Sequence, residues 1–263
     1  MTHWTLTTKD LYLLVKMLGG KVLIGISYPF PEHRIDEMEK EWERTFKKLH
    51  KLELVDYIDG ELKFKDQFIR AMWVLAKTNL VAEIVTDDKK QSLFYFSDDS
   101  VIECMKVNEA EFSVVVHHSP DWTWRQIIIP RMLMGIENLS TRMDERLLII
   151  PNDYKRYSKD GGIYNIEQVA ANNELEQDSL LVKQLNRSLQ SKVHTNRLMM
   201  FYQMNNNWSI EGAHVLSSPS FNWTLRMINE DGIEWLEAKQ ASGKRLMREI
   251  LGVMERVKEM QSV

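Results

Sequence analysis

A chain of 263 residues with 44% hydrophobic and 27% charged side chains has an ordinary globular composition and enough apolar material to bury a sizeable core. Its formal net charge of -4 and pI near 6.0 supply no overall cationic field to draw in nucleic acid or anionic lipid. The single Cys104 excludes an internal disulfide, no apolar run approaches the ~20 residues of a membrane span, and Met1–Leu14 lacks the pattern of a secretory leader; the expected setting is cytoplasmic.

The first elements are helical. Thr7-Thr8-Lys9-Asp10 has capping-box spacing, with Thr7 as N-cap and Asp10 three residues later. Leu11, Leu14, Val15 and Leu18 then share one helical face, which Gly19-Gly20 ends. A short apolar run, Val22–Tyr28, is closed by Pro29 and Pro31. Pro31–Leu52 reads as a longer helix with acidic residues crowding its start and Lys47, Lys48 and Lys51 its end, as the helix macrodipole favours. Its apolar stripe is Ile35, Met38, Trp42, Phe46 and Leu49. Leu54–Phe64 reads as a hairpin turning at Asp59-Gly60, and Asp66 stands where it would cap a helix carrying Phe68, Ile69, Met72, Trp73 and Leu75. Helix, helix, hairpin and helix are the order of a winged-helix unit.

Four β-type runs follow without a linker: Leu80–Thr86, Ser92–Ser97, Val101–Val107 and Glu111–His117. Leu93-Phe94-Tyr95-Phe96 is apolar on both faces and belongs at the centre of a sheet. Asp121 is expected to cap a helix that Pro130 interrupts or ends, and Leu147–Ile150 leads to Pro151. Asn152–Gly162 is polar and turn-rich, the best candidate for a mobile connection. Asn165–Val193 reads as one or two helices with an apolar stripe of Leu175, Leu180, Leu181, Leu185 and Leu189. The strand order then returns as Leu198–Met204, Trp208–Leu216, Phe221–Ile228 and Ile233–Ala238, before a helix from about Gly243 to Met260. Four strands and a helix, repeated at a separation of roughly 115 residues, predict two related halves built on one antiparallel sheet.

No catalytic motif accompanies this frame. Gly243-Lys244 lacks the upstream glycine and following Ser/Thr of a phosphate loop, and no Gly-x-Ser-x-Gly elbow is present. His117-His118 has no Cys, His or Asp cluster at ligand spacing, so no metal and no cofactor are implied. Cys104 lies in an apolar strand and reads as a buried structural thiol. A winged-helix transcriptional regulator is the alternative function raised by the first third of the chain. The helix in its recognition position, however, leads with Glu32, Asp36, Glu37, Glu39, Glu41 and Glu43, which would repel phosphate. The pattern points to a binding protein and not to an enzyme. Fifteen Met and eight Trp supply the residue types that build adaptable protein-binding surfaces.

The order of these features resembles the EspG family of type VII (ESX) secretion chaperones. The likeness starts with Leu6-Thr7-Thr8-Lys9-Asp10-Leu11-Tyr12-Leu13-Leu14 leading to Gly19 and continues through Leu49–Val55, the hairpin and its following helix. It then takes in Val81–Val85, Leu93–Phe96, Trp122–Pro130, Leu147–Pro151, the second strand block and the last helix. The resemblance implies an α+β fold: a central antiparallel sheet with helical bundles in pseudo-twofold halves, about 1–151 and 152–263, of one integrated domain. It implies a non-enzymatic cytosolic adaptor that binds helix-rich secreted substrates, of WXG100-like, PE/PPE-like or toxin-targeting-domain type, and keeps them soluble. It also implies where the partner binds: the loop after the first long strand, here Asp87, Asp88, Lys89, Lys90 and Gln91, and the helical stretch Asn165–Val193 with Leu175, Leu180 and Leu185. The chain departs from the family in its short loop and its richness in Lys, Asn and Met.

Overall fold

The structure is a computed structural model that describes residues 3–30, 35–58, 60–87, 90–139, 146–160, 179–205 and 207–261. The chain groups into two compact units. The first comprises Met1–Glu83, Gln91–Trp124 and Phe201–Gln203; the second comprises Ile84–Lys90, Arg125–Met200 and Met204–Val263.

In the first unit the elements are β1 (His3–Thr7), α1 (Thr8–Met17), α2 (Ile35–Lys51), the hairpin β2 (Val55–Ile58) and β3 (Glu61–Phe64), and α3 (Asp66–Lys77). The strands β4 (Leu80–Val85), β5 (Gln91–Phe96), β6 (Val101–Lys106) and β7 (Glu111–His117) follow. Their spatial order is β1-β7-β6-β5-β4. The four-strand meander is the one its sequence periodicity predicts. The edge strand β1 is not among the expected elements, although Trp4 and Leu6 point inward and His3 and Thr5 do not. It pairs antiparallel with β7, His3 opposite Val115 and Thr7 opposite Glu111.

The helical layer lies over Leu93, Tyr95, Ile102, Cys104, Phe112 and Val114, and its own contribution is Leu11, Leu14, Val15, Leu49, Phe68, Ala71, Met72 and Leu75. The apolar run at Val22–Tyr28 forms no strand: Leu23 enters the core, and the Ile24 carbonyl accepts the Tyr95 hydroxyl at 2.7 Å. Asp66 starts α3 but does not cap it; Lys65 holds the N-cap position without a side-chain bond. An acid one residue inside the helix still suits the positive end of the dipole.

The second unit contains a helical run, then β8 (Arg146–Ile149), α6 (Pro151–Asp160), α7 (Ser179–Gln190), β9 (His194–Met204), β10 (Asn207–Ser217), β11 (Asn222–Glu230), β12 (Ile233–Gln240) and α8 (Gly243–Gln261). The helical run is α4 (Pro120–Thr123), a π-helical turn over Trp124–Ile128 and α5 (Ile129–Leu133). Pro130 therefore interrupts the run without ending it: its ring and missing N–H oppose regular α geometry, and the widened turn before it takes up the mismatch. Asn152–Asp160, expected to be a turn-rich connection, is helical within α6. Proline at the first helical position and Asp153 in the first turn explain why so polar a stretch can start a helix. Strand order is β9-β10-β11-β12-β8, again a meander whose last strand pairs with one that precedes it in the chain.

α7 packs through Leu181, Val182, Leu185 and Leu189 onto Leu147, Ile149, Leu216, Trp223, Leu225, Leu236 and Ala238. Ser188 makes the docking specific, because its hydroxyl accepts both the Trp223 indole N–H at 2.9 Å and the Ser218 hydroxyl at 3.1 Å. α8 packs on β10, β11 and α5, with Leu246, Ile250, Val253 and Val257 buried.

The capping box at the start of α1 also ties two helices together. The Thr7 hydroxyl accepts the Asp10 N–H at 3.0 Å, and the Asp10 carboxylate accepts the Thr7 N–H at 2.8 Å. The same carboxylate, 3% exposed, takes the Thr45 hydroxyl at 2.7 Å and the Lys48 ammonium at 2.6 Å, both on α2. Burial pushes the Asp10 pKa up, but Lys48, the Thr7 N–H and Thr45 outweigh it and hold the group below its usual range. A depressed folded-state pKa means stability present above the ordinary carboxylate range and lost as pH falls through it. Asp10→Ala should cost about 2–4 kcal/mol in urea unfolding, since it removes a cap and orphans buried donors. Its loss of stability on acidification below about pH 4 should be shallower than that of the wild type.

Candidate functional site

The turn between β4 and β5 is closed by the Thr86 N–H donating to the Lys90 carbonyl at 3.2 Å. Asp87 turns toward the start of β9. Its Oδ2 accepts His194 Nδ1 at 2.5 Å, and its Oδ1 accepts the Thr195 backbone N–H and, at 3.1 Å, the Thr195 hydroxyl. An ionised carboxylate only accepts, so the proton between it and His194 is assigned to the imidazole.

Beside this turn opens a groove of about 540 Å³ lined by Val85, Thr86, Asp87, Lys192, Val193, Thr195, Arg197 and His214. A second hollow of about 350 Å³ shares Arg197 and His214 and extends across β9 to β12, where Met199, Ile210, Met227 and Leu236 form its apolar floor. Ile210 is 57% and Met227 51% exposed, so this floor meets solvent. The trough thus carries Asp87, Lys192 and Arg197 near the turn and, farther out, an apolar floor flanked by Glu211, Arg226 and Glu234. Surfaces of this kind suit a partner whose apolar stripe carries a polar flank.

His214 stands where the two hollows meet, its ring edge-on to Tyr154 with centroids 6.4 Å apart. Desolvation, with Arg197 and Lys192 nearby, pushes its pKa down to about 4. It is therefore neutral at pH 7 and adds no charge to the trough.

Among the described trough residues, the Thr195 hydroxyl donates to the Asp87 carboxylate that His194 also meets. The Cys104 thiol lies elsewhere, buried, and its burial drives its pKa well up, away from thiolate chemistry. His117 is buried with its Nε2 2.7 Å from Glu103 Oε2, whereas His118 leaves the strand end to meet Trp122 edge-on. Among the described residues, no three His, Cys, Asp or Glu side chains converge as metal ligands would.

The residues nominated from sequence do not stay together. Asp87 and Lys90 lie at the two ends of the turn. Gln91 begins β5, its amide donating to Glu83 Oε1 at 2.5 Å and to the Gly25 carbonyl at 3.4 Å, inside the first unit. Asp88, Lys89 and Leu175 lie outside the described residues. Leu180 is 46% exposed on α7, but Leu185 is fully buried in the core beneath that helix. Leu185 is a packing residue, because the apolar stripe of an amphipathic helix is the face that the sheet claims first.

Lys192, Thr195, Arg197, Met199, Ile210, His214 and Met227 are missing from the sequence-derived set. The strand containing Thr195, Arg197 and Met199 was expected to begin at Leu198; it begins at His194, where polar residues conceal the alternation of Asn196, Leu198 and Met200 inward with Arg197 and Met199 outward.

No protein-family model matches the chain, and no curated protein matches it. Among solved structures it is similar to the Mycobacterium tuberculosis type VII secretion system chaperone EspG5, solved in complex with a PE25-PPE41 dimer. The TM-score is 0.65 over 97% of each chain at 10% sequence identity. The two proteins share a fold: α+β, with antiparallel strand meanders and accompanying helices, the EspG-like architecture.

The environment of His214 makes a prediction. A histidine whose folded-state pKa lies below its unfolded value gives stability that is complete above about pH 6.5 and declines as pH falls toward its folded pKa. An NMR titration should place the His214 transition near 4, and His214→Phe should flatten the fall in melting temperature between neutral and acidic pH. The two α7 leucines should also diverge. Leu185→Ala should lose about 2–5 kcal/mol of stability, as core truncations do, whereas Leu180→Ala should change chemical unfolding by less than about 1 kcal/mol.

Proposed function

We propose that this protein is a non-enzymatic cytosolic chaperone that binds a helix-rich substrate of a type VII secretion system and holds it soluble until handover. The observation that carries this reading is the end-to-end likeness to EspG5, covering 97% of both chains, in a protein whose second unit exposes an amphipathic trough. A fold shared over 97% of both chains supports the family resemblance found in the order of elements. The substrate class would be WXG100-like, PE/PPE-like or the helical targeting domain of a toxin.

The mechanism follows from the surface. An isolated helical hairpin with an apolar tip aggregates, because its exposed apolar area is free to join other copies. Laying that tip over Met199, Ile210 and Met227 removes apolar area from water at roughly 25 cal/mol per Å², while Lys192 at the rim, with Lys90 in the turn, tunes orientation and encounter. Leu180, exposed on α7, would extend the same contact; Asp88, Lys89 and Gln91 remain candidates through the turn they belong to. Stable capture with release on handover calls for an interface of standard size, about 1,200–2,000 Å² in total.

The test is to express the tagged full chain in its native host and identify what co-purifies by mass spectrometry. A stoichiometric helical protein that precipitates alone and stays soluble with this chain is the expected result. Met227→Asp should then weaken capture by at least about tenfold, since a charge would be desolvated at the centre of the contact, while the melting temperature of the free chain stays within a few degrees. Clean protein with no partner would sink the reading, and co-purifying DNA with a salt-dependent gel shift would replace it with the winged-helix alternative.

A further inference from the structure

β10 and β11 are 11 and 9 residues long, yet they pair over four positions only, from Ser217 opposite Asn222 to His214 opposite Leu225. β11 meanwhile stays paired with β12 out to Glu230 opposite Ile233. The sheet therefore forks. Beyond His214 and Leu225 the two strands part, and the hollow of about 350 Å³ lies in the opening, between Ile210 and Gly212 on one side and Arg226 and Met227 on the other.

Ladder parity fixes which backbone groups face the fork. The Ser218 N–H donates to the Phe221 carbonyl at 2.9 Å, so in the ladder that continues from it His214 and Leu225 exchange bonds. Every second residue from there points the same way: Gly212 and Ile210 from β10, Met227 and Asn229 from β11. The residues between them face the other neighbours. The Val193 N–H meets the Ser217 carbonyl at 2.8 Å and the Ala241 N–H meets the Asn222 carbonyl at 2.9 Å, as this parity requires. Each side of the fork thus offers N–H and C=O groups two residues, about 7 Å, apart.

We propose that the fork is a docking site for an extended peptide segment, which adds as a strand along it and lays alternate side chains on Met199, Ile210 and Met227. A small apolar molecule would cover those side chains and leave the backbone groups unpaired. Water would pair the groups and leave Ile210 and Met227 wet. An extended chain satisfies both needs, because its own N–H and C=O groups repeat at the same spacing. Charge at the rim is of both signs, and Glu211 is already held by Arg256 of α8 at 2.9 Å. Backbone pairing and apolar contact, not net charge, therefore set the recognition. The source of the segment rests on the chaperone reading: it would be the extended residues that adjoin the substrate's helical tip.

Measurements on the full chain test the site without any substrate. In the free protein the Ile210, Gly212, Met227 and Asn229 amides should exchange with solvent at least about tenfold faster than those of Arg226 and Ile228, which face β12. Equal protection would overturn the fork. The binding probe is a synthetic heptapeptide of alternating valine and threonine with a lysine added at each end, followed by NMR. It should shift and protect the four amides. Full N-methylation of its backbone removes its donors and keeps its side chains, and should weaken binding at least about tenfold. No shift at millimolar peptide, or equal binding by the N-methylated form, overturns strand addition. Met227→Pro deletes one fork-facing N–H while leaving the Arg226 and Ile228 bonds to β12, and should weaken the peptide similarly. Should that variant lose protection in β12, the N-methylated peptide decides alone. Peptide binding in a protein that captures no substrate would keep the fork and count against the chaperone reading. A co-purified substrate that leaves the four amides unprotected would keep that reading and overturn the fork as its docking site.

Discussion

In each unit the strand that precedes the meander pairs with the meander's last strand, and much of the remaining architecture follows from that closure. β1 is hydrogen-bonded to β7 while β4, the next sheet strand in the chain, lies at the opposite end of the order. The intervening residues, α1 to α3 with the small hairpin, must therefore traverse a sheet face to reach β4. They do so as helices because a traverse over an apolar face satisfies its backbone internally only in that form. The second unit repeats the logic: β8 pairs with β12, β9 begins at the other end, and α6 and α7 occupy the chain between. Non-local closure of this kind costs loop entropy, which the buried faces must offset.

Helices committed to covering the sheet cannot also present their apolar stripes to a partner. α7 gives Leu181, Leu185 and Leu189 to the core and keeps only Leu180 among those leucines for solvent. Strands of the second unit expose apolar area as well, at Ile210 and Met227, where the trough runs across β9 to β12. A surface carried on a hydrogen-bonded sheet is rigid, and Asp87 and Lys192 stand beside it. In the proposed chaperone role, the apolar floor would supply affinity and the charged rim orientation.

Much of the fold was legible because strong periodicity is a local property. β7 was read to the residue, the capping box at Thr7 and Asp10 forms as its spacing demands, and the hairpin turns at Gly60 with φ +84°. What escaped shares one feature: local signal too weak to compete. β1 is five residues long, β9 opens with polar residues, and α6 is polar throughout, so each acquires its structure from a neighbour or a terminus and not from an apolar pattern. The same weakness hid the site. Asp87 was chosen as an acid in a turn, but nothing in a turn sequence reveals that His194 and Thr195 will consume its lone pairs.

The sequence by itself determined the class of the protein: an α+β chain with a repeated strand meander, a single cysteine and amphipathic helices. Those are statements about spacing and composition, which act over a few residues. Only the tertiary structure decided which side of each amphipathic element meets water, that Leu185 is core and Leu180 surface, and that Arg197, His214, Ile210 and Met227 converge. Convergence depends on the pairing of strands far apart in the chain, and an interaction between distant residues leaves no periodic trace in either of the segments that make it.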